Sequence, residues 1–83
     1  MEIKVFTLPT CPSCPFAKKI AVQITQKYHV GYREIDLSTS EGQQEGRKYQ
    51  IMSTPSIVVD DEVIVRGKLL SLETLENEVK KRL

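Results

Sequence analysis

Two cysteines, Cys11 and Cys14, constrain the fold and the chemistry of this chain more than any other feature. The apolar run 5–8 before them predicts the end of a strand, and the helical spacing of apolar residues over 16–28 predicts a helix after them. The pair therefore lies at a helix N-terminus, where unpaired N–H groups favour an anion and lower the pKa of a thiol. We expect Cys11 to react as a thiolate and Cys14 to form a disulfide with it.

The composition limits where such a pair can act. The chain has 83 residues and a formal charge of +1, and its charges are spread out, which excludes the basic patch typical of nucleic-acid or membrane-surface binding. Its apolar runs are too short to span a bilayer, and residues 1–4 show no signal-peptide pattern. We expect a single domain over residues 1–83 in the reducing cytoplasm, where two lone cysteines are typical of catalysis or metal binding.

The N-terminal part of the chain has the pattern of a βαβ unit. Residues 2–8 are apolar on both alternating faces, as in a central strand covered by helices on each side. Gly31 is expected to end the first helix. The alternation over 32–37 predicts a second strand, nearer an edge of the sheet. We expect it to run parallel to the first, with a right-handed crossover.

A second helix is predicted from the capping residues 38–41 to about Tyr49. Gly42 and Gly46 lie inside it, and each costs about 1 kcal/mol relative to alanine. We therefore expect this helix to be short, mobile and mostly solvated.

The last third of the chain predicts a β-hairpin and a helix. Residues 56–59 and 62–66 read as antiparallel strands joined by a turn at Asp60 and Asp61. Ser71 is expected to cap a final helix. Its apolar stripe consists of Leu72, Leu75, Val79 and Leu83. The predicted fold is α/β, in the order βαβαββα, with a four-stranded mixed sheet and helices on both faces.

A Cys-x-x-Cys at the first βα junction of a βαβ unit is typical of thioredoxin-like redox proteins. From Ile3 to Leu83 the chain resembles a small, glutaredoxin-like member of the thioredoxin superfamily, of the type found in archaea. Its Cys-Pro-Ser-Cys motif resembles the Cys-Pro-x-Cys of glutaredoxins. Thr54 and Pro55, just before the third strand, are similar in position to the cis-proline that packs against the cysteines in this superfamily.

The resemblance implies a thiol–disulfide oxidoreductase of the thioredoxin type, with roles in electron transport and cell redox homeostasis. Cys11 would attack a protein disulfide, and the more buried Cys14 would then attack Cys11 and release the reduced target. The backbone of Thr54 would pair with a substrate peptide. The implied substrate-binding residues are Pro12, Ser13, Thr54, Pro55 and Gly67.

The resemblance also implies the partners. These are proteins with disulfides and an electron donor of the thioredoxin-reductase type, and no cofactor or metal is expected. We expect a monomer.

The chain departs from both families that it resembles. Thioredoxins have a Trp before the motif, where this chain has Thr10, and a buried acid six residues before the first cysteine, where it has Val5. Cys14 therefore needs another route for its proton, such as water. Glutaredoxins hold glutathione through an aromatic residue in the motif, a basic residue shortly before it, and an acidic pair before the last helix. This chain has Ser13 in the motif and no such acidic pair, which favours activity on protein disulfides.

Other functions stay open on the sequence. A glutathione-dependent glutaredoxin, or an electron donor to ribonucleotide reductase, would use the same chemistry. A zinc or iron–sulfur protein belongs to another class, and zinc sites need four ligands. The remaining candidate ligand, His29, lies at the far end of the first helix and is expected to be solvated. Only a dimer that shares four thiolates would complete such a site.

Overall fold

Strands and helices follow one another in the predicted order βαβαββα. The computed structural model describes every residue from Met1 to Leu83. The elements are β1 (Glu2–Thr7), α1 (Cys14–Tyr28), β2 (Gly31–Asp36), α2 (Ser40–Lys48), β3 (Ser56–Val59), β4 (Glu62–Val65) and α3 (Leu72–Arg82). None of the three helices has the length and apolar character needed to cross a membrane.

The four strands form one mixed sheet in the order β2-β1-β3-β4. β1 runs parallel to β2 and antiparallel to β3, and β3 pairs antiparallel with β4. The prediction that the second strand lies at an edge is confirmed. The turn between β3 and β4 places Asp60 and Asp61 at positive φ, 51° and 66°.

β1 is central, and its two faces contribute to two separate apolar clusters. Ile3 and Val5 point towards α1 and α3, where they pack with residues such as Ile24 and Leu75. Phe6 points to the other face. There it packs with Ile35, Tyr49, Ile51 and Val58. Helices therefore cover both faces, as the double apolar alternation of β1 predicts.

The first helix begins and ends at other residues than predicted. α1 starts at Cys14, before the expected Phe16, with a proline in its first turn, where a missing N–H costs no helical hydrogen bond. His29 ends it in the left-handed conformation, with φ 56°, and its N–H donates to the carbonyl of Thr25. The prediction that Gly31 ends the helix was wrong, because Gly31 is already the first residue of β2. His29 is exposed, as predicted.

The glycines of α2 have a role that the sequence did not reveal. Gly42 and Gly46 are the buried residues of this otherwise largely exposed helix. A Cβ on Gly42 would clash with the backbone carbonyl of Asp36, and one on Gly46 would lie 2.8 Å from Cδ2 of Leu37. The missing side chains therefore let α2 approach the end of β2 closely.

The apolar stripe predicted for α3 is only half buried. Leu75 and Val79 are fully buried, whereas Leu72 and Leu83 are 43% and 67% exposed. Leu72 is the first residue of the helix and Leu83 lies just beyond its end. Only the middle of the helix therefore packs on the sheet, and the prediction was wrong for these two terminal leucines.

Candidate active site

The cysteine loop, residues 8–13, leaves the sheet at the end of β1 and leads directly into α1. The N–H of Cys11 donates to the carbonyl of Leu8 at 3.1 Å, which turns the chain back towards the helix. The carbonyl of Ser13 accepts from the N–H groups of Phe16 and Ala17, each at 3.1 Å. Cys14 is therefore fixed in the first turn of α1, while Cys11 stays in the loop.

Cys11 and Cys14 form a disulfide, and their Cα atoms are 5.4 Å apart. Cys14 is 2% exposed, whereas Cys11 is only half-buried. The difference follows from their positions, because the first turn of α1 packs against the sheet and the loop does not. A sulfur that reacts with another protein must be accessible to it, so the geometry favours Cys11 as the sulfur that meets a partner.

The peptide bond between Thr54 and Pro55 is cis, as predicted. The antiparallel register of β1 and β3 sets Ser56 opposite Phe6. Pro55 therefore lies at the same end of the two inner strands from which the cysteine loop leaves the sheet. Pro55 is buried and Thr54 is half-buried. A direct contact of Pro55 with the sulfurs stays a prediction.

Hydrogen bonds of Ser56 and Gly67 hold the turn of residues 53–55, here called the proline turn. The hydroxyl of Ser56 donates to the carbonyl of Ser53 at 2.6 Å and accepts from the N–H of Gly67 at 3.1 Å. Gly67 has φ 74°, and a Cβ there would lie 2.5 Å from the hydroxyl oxygen of Ser53. Gly67 is thus placed against this turn. Ser56 is not among the predicted site residues, because its only signal in the sequence is a polar residue between a proline and an apolar strand.

A cleft of about 290 Å³ opens beside the disulfide. Both cysteines line it, together with charged side chains from α1 and β2. Nζ of Lys18 lies 3.6 Å from Oε1 of Glu34, and the hydroxyl of Thr7 donates to Oε2 of Glu34 at 3.5 Å. These groups were not among the predicted site residues, because the β1–β2 register is needed to bring them to Cys14.

Asp36 also lines this cleft, but its carboxylate is already engaged. Oδ1 accepts from the hydroxyl of Ser38 at 2.7 Å and from the N–H of Ser38 at 2.8 Å. These two bonds, that of the hydroxyl first, lower the pKa of Asp36. The position of the acid expected in thioredoxins, Val5, is fully buried and apolar.

An apolar groove of about 270 Å³ lies near the other side of the cysteine loop. Leu8, Leu37, Ile51 and Met52 line it, with polar ends from α2. The side chain of Met52 is 93% exposed, and it follows α2 on the way to the proline turn. The surface beside the cysteines therefore offers apolar contact area as well as charge.

The chain contains no cluster of three or more His, Cys, Asp or Glu side chains that could hold a metal ion. The Cys-x-x-Cys motif by itself brings two sulfurs together, those of Cys11 and Cys14.

Comparison with known proteins places this arrangement among thioredoxins. Residues 1–80 match a family model described as a thioredoxin domain. A thioredoxin of Methanocaldococcus jannaschii is 31% identical over 83 residues, which cover 100% of this chain and 96% of the relative. A probable thioredoxin of Archaeoglobus fulgidus is 34% identical over 65 residues, or 78% of this chain and 71% of the relative.

Solved structures share the fold. Thioredoxin 1 of Thermosipho africanus aligns with a TM-score of 0.80 and 16% identity, over 99% of this chain and 93% of that one. A thioredoxin-like protein of Clostridium perfringens aligns with a TM-score of 0.79 and 20% identity, over 96% of this chain and 68% of that one. At these identities the likeness concerns the fold.

Proposed function

Since this chain belongs to the thioredoxin family and is a thiol–disulfide oxidoreductase, we propose that it reduces disulfides in other proteins by dithiol exchange. In the reduced protein, the thiolate of Cys11 attacks a target disulfide and displaces one target sulfur as a thiolate. Cys14 then attacks the sulfur of Cys11 and displaces the second target sulfur. The target gains two electrons, and the Cys11–Cys14 disulfide forms.

The unequal exposure of the two sulfurs carries the assignment of these roles. Cys11 is half-buried in a loop at the helix N-terminus, where the helix dipole favours a thiolate. Cys14 is 2% exposed, so a large target cannot reach it. The accessible sulfur is therefore the nucleophile and the buried one resolves the mixed disulfide.

We propose that a target segment pairs with the backbone of Thr54 in an extended conformation. Neither the N–H nor the carbonyl of Thr54 takes part in a backbone hydrogen bond within the chain, so both are available. Pro12, Ser13 and Pro55 would border the same segment, with Gly67 holding the proline turn in place.

The electron donor in this proposal is a reductase of the thioredoxin-reductase type, and the protein acts as a monomer in the cytoplasm. A reducing compartment suits a pair that must return to the dithiol state after each turnover. Glutathione as donor and ribonucleotide reductase as acceptor are alternative outcomes of the assays described next.

Reduction of insulin tests the proposed activity. The dithiol form should reduce insulin disulfides, and Cys11→Ser should abolish the reaction. Cys14→Ser should instead accumulate a mixed disulfide with the target, visible as a covalent adduct that a reductant releases. Full turnover in either single variant would overturn the assignment. A coupled assay that compares glutathione with a thioredoxin reductase then identifies the donor.

A further inference from the structure

The second step of dithiol exchange, which rests on the proposed function, needs a proton acceptor for Cys14. The thiolate is the attacking species, and an ordinary cysteine with a pKa of about 8.5 is mostly protonated at neutral pH. Cys14 is 2% exposed, and the cleft beside it is its route to solvent and to titratable groups. The buried position six residues before Cys11 is Val5, whose side chain cannot take a proton.

Glu34 is the suitable acceptor among the charged groups of this cleft. The ammonium of Lys18 has no acceptor atom, and the two bonds from Ser38 to Oδ1 of Asp36 lower the pKa of that carboxyl, which makes it a weaker base. Glu34 has one long hydrogen bond from Thr7, at 3.5 Å, and an ion pair with Lys18 at 3.6 Å. A carboxylate has about four lone-pair sites, so Glu34 keeps free acceptor positions.

We propose that Glu34 accepts the proton of Cys14 when Cys14 resolves the mixed disulfide, with cleft water as the relay. The S–H bond of Cys14 breaks and its electron pair forms the bond to the sulfur of Cys11. The bond between Cys11 and the target sulfur breaks, and that sulfur leaves as a thiolate. Glu34 returns the proton to the leaving sulfur or to solvent. A cleft of about 290 Å³ has room for the relaying water.

Several other charged or titratable groups surround Glu34. Lys18 faces it from α1, and Asp36 and Tyr32 flank it on β2. Burial, and then the charge of Glu34, raise the pKa of Tyr32, which keeps that phenol neutral. A further cleft is lined by Glu34 and Asp36 together with Arg33, Glu41 and Glu45.

The direction in which Glu34→Gln changes the rate of resolution separates proton transfer from a simple effect of charge. A nearby carboxylate disfavours the thiolate of Cys14, so charge alone predicts that Glu34→Gln speeds resolution. Proton acceptance predicts that the same substitution slows it. Positioned acid–base groups contribute about 10²- to 10⁴-fold in rate.

The experiment uses the reduced 83-residue protein and one equivalent of 5,5′-dithiobis(2-nitrobenzoate) in a stopped-flow spectrometer. Attack by Cys11 releases the first coloured thiolate, and attack by Cys14 releases the second. In Glu34→Gln the second release should be slower by about tenfold or more near neutral pH. The first release should change by less than about twofold. The difference should shrink above the ordinary thiol pKa of about 8.5, where solvent deprotonates Cys14.

Two variants and one measurement on the unmodified protein complete the test. Glu34→Asp should recover most of the rate that Glu34→Gln loses. Glu2→Gln, the same change at the far end of β1, should keep the wild-type rates of both releases. In the wild type, the second release should stay nearly constant between about pH 8 and pH 6, whereas an unassisted thiol would slow about tenfold per pH unit. This last result needs no variant to fold.

Unchanged or faster resolution in Glu34→Gln, or a tenfold fall per pH unit in the wild type, would overturn the proposal. If the wild type still reduces insulin in that case, only the role of Glu34 fails. If the wild type shows neither insulin reduction nor a first release, the proposed function fails instead.

Discussion

At the scale of single residues, Lys4 is the least expected feature of the core. Its side chain is 10% exposed, and its ammonium donates to the hydroxyl of Tyr49 at 3.0 Å and lies 3.7 Å from Oε2 of Glu45. The hydroxyl of Tyr49 donates in turn to Oδ1 of Asp61 at 2.6 Å. The hydrogen bond to Tyr49, and then Glu45, raise the pKa of Lys4. The buried cation thus joins β1 to α2 and to the hairpin turn.

Replacing this lysine should destabilise the protein despite adding apolar character. Lys4→Met removes the ion-pair partner of Oε2 of Glu45, which is buried and accepts no hydrogen bond, and the loss should cost about 1–3 kcal/mol. Urea unfolding at pH 7 measures the loss, with Lys19→Met, the same change at an exposed lysine of α1, as control. Lys4→Met/Glu45→Met should regain much of the loss, because it removes both charges. Equal stability of Lys4→Met and wild type would contradict the network's role.

At the scale of elements, the packing of α2 against β2 decides whether an alanine in place of a glycine stabilises or destabilises the protein. Helix propensity alone predicts that Gly42→Ala stabilises the protein by about 1 kcal/mol. The structure predicts the opposite sign, because the added methyl group meets the backbone carbonyl of Asp36, which cannot rotate away as a side chain could. The close approach of α2 to β2 depends on this position.

Gly42→Ala should therefore lower the free energy of unfolding by about 1–3 kcal/mol, the usual cost of overpacking a close-packed site. Gln44→Ala, an exposed position of the same helix, serves as control and should change little. Chemical denaturation of both variants gives the comparison. A stabilised Gly42→Ala would mean that α2 stands farther from β2.

Element order and the cysteine motif could be predicted because they depend on residues close together in sequence. The strand periodicity before Cys11 and the helical spacing after Cys14 need no knowledge of the rest of the chain. The bonds between Lys4 and Tyr49, 45 residues apart, and between Thr7 and Glu34, 27 apart, depend on how the elements pack. A serine such as Ser56 carries no mark of its burial either. The cleft beside Cys14 therefore required the three-dimensional structure.

At the scale of the whole molecule, Glu76 ties together the two helices that cover one face of the sheet. Its carboxylate on α3 accepts from Nζ of Lys27 and, at 2.7 Å, from the hydroxyl of Tyr28, both on α1. The bond from Lys27, and then that from Tyr28, lower the pKa of Glu76 below its ordinary value. Folding therefore favours the ionised carboxylate.

This link should make stability depend on pH in a defined direction. Because the pKa is lowered in the folded state, the contribution of Glu76 is complete above the ordinary glutamate pKa of about 4.3 and is lost as the pH falls through the folded value. Glu76→Gln should lower the melting temperature at pH 7, and the difference from wild type should shrink in strong acid. Glu2→Gln, which lacks such partners, should show no such trend. A constant difference at all pH values would contradict this account.

The start of α1 at Cys14 makes the two sulfurs mechanically unequal. Cys14 is anchored in a 15-residue helix whose inner face is part of the core, whereas Cys11 belongs to the loop 8–13. When the disulfide opens, the loop can move while α1 and the sheet keep their positions. Such a protein can present the mobile sulfur of Cys11 to targets of different shapes, while the sulfur of Cys14 stays in one place.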